Sequence, residues 1–192
     1  MTLRPSDLRL GQLGDALSQA TERIRTMVQP LTPAQLEWKP GPAEWSAAQV
    51  FEHLTLTNDA IIRPIEARLA GRSPSLFERV PLLPALTGWG VRRAMELLVS
   101  SGAALRAPRA LTPAALPDGV RVRDRFFGRQ QQIVALVARC AERDIGSQGI
   151  GIPGVPLLCY TVRDALHVML FYEGIHLGQL AALIQHPELP HD

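Results

Sequence analysis

The sequence predicts an all-α protein built on a four-helix bundle, from three observations. Apolar residues recur at helical spacing over four long stretches, two of those stretches open on capping sequences, and the segments between them are dense in proline and glycine. In the first stretch, from about Ser6, residues Leu13, Leu17, Ala20, Ile24, Met27 and Leu31 alternate spacings of four and three, the stripe of an amphipathic helix. The connection LTPAQLEWKPGPAEW carries Pro33, Pro40, Gly41 and Pro42 and reads as an ordered loop. Ser46-x-x-Gln49 is a capping box for a second helix, with Trp45 and Val50 in hydrophobic-staple positions. Val50, Leu54, Thr57, Ile61, Ile65 and Leu69 carry its apolar face to Gly71, and Pro64 implies a kink or a fraying last turn.

Residues 72–118 read as an elaboration on the bundle, broken by Pro74, Pro81, Pro84, Gly88 and Gly90 around a short helix at about Val91 to Ser101. A third bundle helix spans about Val122 to Arg143, with Phe126, Ile133, Leu136, Val137 and Cys140 inward. IGSQGIGIPGVPLLCY reads as a loop without a nucleotide-binding fingerprint. Thr161-x-x-Asp164 then caps a final helix to about Gln185.

The 192 residues suit a single domain over 1–192, and an apolar fraction of 46 % with 20 % charged residues is that of a chain that builds a core. A net charge of +2, with Lys39 the only lysine, supplies no basic stripe, so no nucleic-acid partner is expected. Cys140 and Cys159 are isolated and form no metal or disulfide framework, which points to a reducing cytoplasm. The N-terminus lacks the apolar core of a signal peptide, and no segment reaches the roughly 18 apolar residues of a membrane span.

Chemistry-bearing residues fall on the apolar faces. Ala165, Met169, Tyr172, His176, Gln179 and Leu183 share one stripe of the last helix, with His176 about 40° around from Tyr172 and about 60° from Glu173. His167 lies about 180° away, and His186 and His191 fall in a proline-rich tail. His53 sits at the edge of the second helix's stripe, so His53 and His176 can meet across the core as two nitrogen ligands, with Tyr172 or Glu173 as a third donor. The alternative is a pair of core-edge histidines hydrogen-bonded to Tyr172, Gln179 or backbone. Arg121, Arg123, Arg125 and Arg129 crowd the first turns of the third bundle helix, against its macrodipole, and form either a solvated face or an anion site.

EWSAAQVFEHL with the preceding LTPAQLEWKPGP resembles the second-helix signature of the DinB/YfiT superfamily, and YEGIHLGQLAAL resembles its last-helix signature. With the first helix, the resemblance covers most of the chain outside 72–118. It implies a crossover four-helix bundle, often dimeric, that holds one divalent ion, nickel or zinc. The ligands are a histidine from the second helix and two histidines four apart on the last. Carried over by position, these fall on His53, Tyr172 and His176, with Gln179 as the glutamine that follows. Tyr172 departs from the pattern, because a neutral phenol is a far poorer ligand than imidazole. The resemblance further implies thiol-dependent chemistry, either that of an S-transferase acting on small electrophiles or that of a thiol-dependent isomerase, in which a metal activates a low-molecular-weight thiol as the nucleophile. If such a site works in this chain, the arginine cluster of Arg121, Arg123, Arg125 and Arg129 is the expected receiver of the thiol's carboxylates. The alternative expectation is a metal-free bundle that binds a small apolar ligand or a protein partner. A homodimer is expected both from the resemblance and from apolar residues of the elaboration, Leu82, Leu83, Leu86 and Trp89.

Overall fold

The computed structural model describes residues 8–101, 108–155 and 157–190; His191, assigned above to the tail, lies outside them. Six helices are described: α1 (Leu10–Val28), α2 (Pro33–Glu37), α3 (Ala47–Leu69), α4 (Leu83–Ser101), α5 (Gly119–Glu142) and α6 (Val162–Ile184). α1 and α3 each pack against both α5 and α6, so the four long helices close a ring in which α1 faces α3, and α5 faces α6, across the diagonals. Both diagonals are spanned by crossovers: α2 lies between α1 and α3, and a small hairpin lies between α5 and α6.

Local chemistry sets the helix starts. Ser46 accepts from the Gln49 amide while the Gln49 side chain accepts from the Ser46 amide, completing the capping box of α3. Thr161 caps α6 by accepting from the Asp164 amide, and Asp118 caps α5 by accepting from the Arg121 amide. Asp118 also places an anion where the α5 dipole favours one, offsetting part of the arginine crowding. α3 runs on through Pro64 to Leu69.

The structure departs from the sequence reading in three places. The first connection is not all loop: Thr32 and Gln35 form a reciprocal capping box, and Pro33, at the first helical position where its missing N–H costs nothing, opens α2. The elaboration contains a helix almost twice as long as expected, because Pro84 and Gly88 fall in the early turns of α4. IGSQGIGIPGVPLLCY is not simply a loop, since β1 (Gly149–Gly151) and β2 (Cys159–Thr161) pair antiparallel with Ile150 opposite Tyr160. Gly149 is required there, because a β-carbon would overlap the Glu78 carbonyl and the Pro84 ring. The buried Arg68 guanidinium ties the hairpin to α3, donating to the Gly149 carbonyl at 2.6 Å and pairing with Glu78 at 3.0 Å.

The core is two apolar clusters rather than one. Leu13, Leu17, Ile61, Ile65, Ile133, Leu136 and Met169 belong to the first, which extends under the hairpin. Ile24, Val28, Val50, Phe51, Leu54, Phe126, Phe127 and Leu180 belong to the second. Each such side chain contributes about 1.5–3 kcal/mol by leaving water, so either cluster alone outweighs any single polar contact in the protein. No helix among the described residues is long and apolar enough to cross a membrane.

Candidate functional site

Between the two apolar clusters every bundle helix carries buried polar residues. Thr21 separates Leu17 from Ile24 on α1, and Thr57 and Asn58 separate Leu54 from Ile61 on α3. Gln130 separates Phe127 from Ile133 on α5, and Glu173 and His176 separate Met169 from Leu180 on α6. Thr21 satisfies its hydroxyl on the Leu17 carbonyl. On the α5–α6 diagonal the Gln130 amide donates to Glu173 at 2.5 Å.

Glu173 is fully buried. Burial pushes its carboxyl up to about 8, against the opposing influence of the Gln130 and Asn58 side chains, so it is largely uncharged at neutral pH. Asn58 lies against this carboxyl, yet neither of its amide atoms completes a hydrogen bond. Glu173 Oε2, Gln130 Oε1 and Thr57 Oγ1 are likewise without a hydrogen-bond partner. Asn58, Gln130 and Thr57 were not singled out from the sequence as members of a polar layer. The signal was there, in polar residues interrupting the apolar stripes of several helices.

Beside this layer, toward the end of the bundle where α3 begins and α6 ends, His53 approaches His176. The His53 and His176 rings are 5.0 Å apart, edge to face. The Trp45 ring lies 4.9 Å from His53, and the Tyr172 ring lies 6.1 Å from His176 and 6.5 Å from His53. Trp45 thus does more than staple the start of α3: it forms one wall of the site. Its position before Ser46 in the sequence indicates only the local role.

Each imidazole is oriented through its Nδ1. His53 Nδ1–H donates to the Leu111 carbonyl at 2.7 Å, and His176 Nδ1–H donates to Gln179 Oε1 at 2.8 Å. These bonds fix the tautomers and leave both Nε2 atoms as lone-pair donors. Burial lowers the His53 pKa, against the Leu111 bond that raises it. Burial takes His176 down to about 4, opposed by Gln179 and assisted by the neighbouring His53. Both rings are therefore neutral at pH 7. The Tyr172 phenol is raised by burial and stays protonated.

Leu111 belongs to the far end of the elaboration, which is strapped over the start of α3. The Gln49 amide donates to the Ala114 and Ala115 carbonyls, and Glu52 accepts from the Ala114 amide. The elaboration therefore shapes the site, a role its sequence did not disclose.

The structure thus brings His53, Tyr172, His176 and Gln179 together. Glu173, the other expected third donor, instead turns its carboxyl to Gln130, and among the described residues no group of three or more His, Cys, Asp and Glu could hold a metal ion. His167 points elsewhere, buried with Nδ1–H on the Arg163 carbonyl. His186, in the tail, packs its ring 5.0 Å from that of Trp38, away from the His53–His176 pair. The arginine cluster is largely occupied. Arg129 pairs with Asp59 at 2.6 Å, Arg125 approaches the same carboxylate at 3.7 Å, and Arg123 pairs with Asp124 at 3.0 Å. Only Arg121 of the four has no such ion pair among the described residues, and none of the four contributes to the pKa shifts of His53 or His176.

The fold is thus a crossover four-helix bundle in which histidines from the second and last long helices lie side by side. The chain belongs to the DinB superfamily: the sequence model of that superfamily matches residues 16–180, from within α1 almost to the end of α6 and across the elaboration. No curated relative matches it.

Proposed function

We propose that the protein is a thiol-dependent S-transferase acting on small electrophiles in the reducing cytoplasm, with its reaction site at the His53–His176 pair. The observation that supports this reading is the pair itself: two uncharged imidazoles 5.0 Å apart, each tied at Nδ1 with Nε2 open, in a site shared with an indole and a phenol. Two such nitrogens suit nickel or zinc, and His53 and His176 would hold the ion. They are one ligand short of the three protein ligands of a catalytic zinc site, and the position that decides occupancy is Tyr172. When bound, such an ion lowers the pKa of a coordinated thiol so that the thiolate nucleophile forms at neutral pH.

The chain's own residues supply the rest. Leu111 and Gln179 hold the ring orientations, so each Nε2 stays an acceptor. Trp45 and Tyr172 flank the pair with aromatic surface that suits an apolar electrophile, and the protonated Tyr172 hydroxyl can donate a hydrogen bond to it. Cys140 and Cys159 are both free and buried, as a reducing compartment allows.

A second reading, a metal-free bundle that binds a small apolar ligand, is favoured by the protonated Tyr172 phenol and by the turn of Glu173 toward Gln130. Elemental analysis of untagged protein, followed by nickel and zinc titration and an assay of halide release as cysteine thiolate displaces it from an activated aryl halide, separates the two. Stoichiometric metal and turnover, both lost in His53→Ala, support the transferase. Absence of a titratable site together with absence of turnover supports the metal-free reading.

A further inference from the structure

Five threonines lie within the described helices, and four of them donate the hydroxyl to the carbonyl one turn back. Thr21 donates to Leu17, Thr26 to Glu22, Thr55 to Phe51 and Thr87 to Leu83, at 2.8–3.0 Å. Thr57 is the exception. It lies in the interior of α3, is 4 % exposed, and its Oγ1 has no hydrogen-bond partner among the described residues. A buried, unpaired hydroxyl is costly, and the ordinary remedy, the carbonyl of His53, lies one turn away.

The place of Thr57 in the bundle says what this hydroxyl faces. His53 approaches His176 while Asn58 lies against Glu173, so α3 and α6 run antiparallel here and Thr57 falls at the level of Tyr172. Thr57 is also one turn on from His53, on the same face of α3. The hydroxyl therefore stands beside the histidine pair, among the walls that Trp45, Tyr172 and the two imidazoles form. The carboxylates nearest to it along the two helices are directed elsewhere: Glu52 accepts from the Ala114 amide, Asp59 pairs with Arg129, and Glu173 turns to Gln130.

We infer that Thr57 is a ligand-binding residue of this site, and that the site takes a neutral aromatic carbonyl compound whose oxygen accepts from the Thr57 hydroxyl. Aromatic walls suit a flat apolar body, and carboxylates turned away leave it without an ionic anchor. A carbonyl oxygen can only accept, so it calls for a donor. Neither Nε2 can supply one, because each imidazole carries its proton on Nδ1, whereas a threonine hydroxyl can. The inference rests on the His53–His176 pair being a small-molecule site and names the ligand class, but it needs neither a bound metal nor turnover.

Acetophenone and α-methylstyrene test it, because they have nearly the same shape and differ in a C=O against a C=CH2. Each is titrated into the full chain and read through the His53 and His176 ring signals in nuclear magnetic resonance. Thr57→Val keeps the side-chain shape and removes the hydroxyl, so the affinity ratio of acetophenone to α-methylstyrene should fall at least about tenfold; Thr57→Ser should hold it within about twofold. The hydration of the two probes is the same in all three proteins and cancels from this comparison. Ligand-free Thr57→Val should unfold in urea at the parent's midpoint or above it, since it deletes a buried hydroxyl that nothing in the chain pairs. A ratio unchanged in Thr57→Val, or a lowered urea midpoint marking the hydroxyl as structural, overturns the inference while the small-molecule site stands. Ring signals of the parent that move with neither probe overturn both.

Discussion

Replacement of Glu173 by glutamine tests the account of the polar layer quantitatively. The carboxyl is fully buried and accepts one hydrogen bond from Gln130, which a glutamine Oε1 can accept equally well. What the substitution removes is the ionisable group. The folded-state pKa of about 8 lies above the ordinary 4.5, because burial favours the neutral form more than the Gln130 and Asn58 side chains favour the charged one. Below about pH 4.5 the group is protonated in both states and costs nothing. As pH rises from there toward 8, the unfolded chain releases a proton that the folded chain keeps, and stability falls by up to ~1.4 kcal/mol per pH unit before levelling off. Relative to the parent, Glu173→Gln should therefore gain about 3 kcal/mol between pH 5 and pH 8, a large share of a typical 5–15 kcal/mol folding stability. Urea unfolding of both proteins at pH 5, 6, 7 and 8 reads this directly. A stability difference that is flat with pH, or that runs the other way, would refute a buried, neutral Glu173.

Three further outcomes follow from the same structure. Tyr172→His places an imidazole one turn from His176 and should raise nickel or zinc affinity at least tenfold, about 1.4 kcal/mol, in isothermal titration; most of the gain should vanish in a His53→Ala background. Glu78 is held down to about 2: burial raises it, but the Arg72 and Ser75 hydrogen bonds and the charges of Arg72 and Arg68 outweigh that. Its contribution is present above the ordinary 4.5 and lost as pH falls from there toward 2. Glu78→Gln should thus lower thermal stability by about 3 kcal/mol at pH 7 and by progressively less in acid, and an undiminished difference at pH 2.5 would exclude this origin. Gly88→Ala should cost about 1–3 kcal/mol, because the new methyl overlaps the Asp164 carboxylate against which α4 packs; chemical denaturation showing no loss would mean that α4 is not seated on α6 as described.

The parts of this protein legible in the sequence are those whose causes lie within a few residues along the chain. Ser46 and Gln49, and Thr161 and Asp164, are three apart, so the starts of α3 and α6 could be read where they stand. The apolar stripes follow from the 3.6-residue period, which also set His53 and His176 at the edges of core-facing surfaces and turned His167 away. The Thr32–Gln35 box is equally local, but it opens a helix of only five residues, with Pro40 and Pro42 close behind it, so its sequence looks like a loop.

What only the tertiary structure decided depends on residues far apart in sequence. That His53 and His176 lie 5.0 Å apart, that Leu111 orients one of them, and that Glu173 turns to Gln130 rather than toward the pair are relations between helices, fixed by how the ring closes. The same holds for Arg129, whose partner Asp59 lies on another helix. Polar residues on separate helices become one layer only when their heights along the bundle axis coincide, and that coincidence comes from packing two apolar clusters end to end, which no single helix encodes.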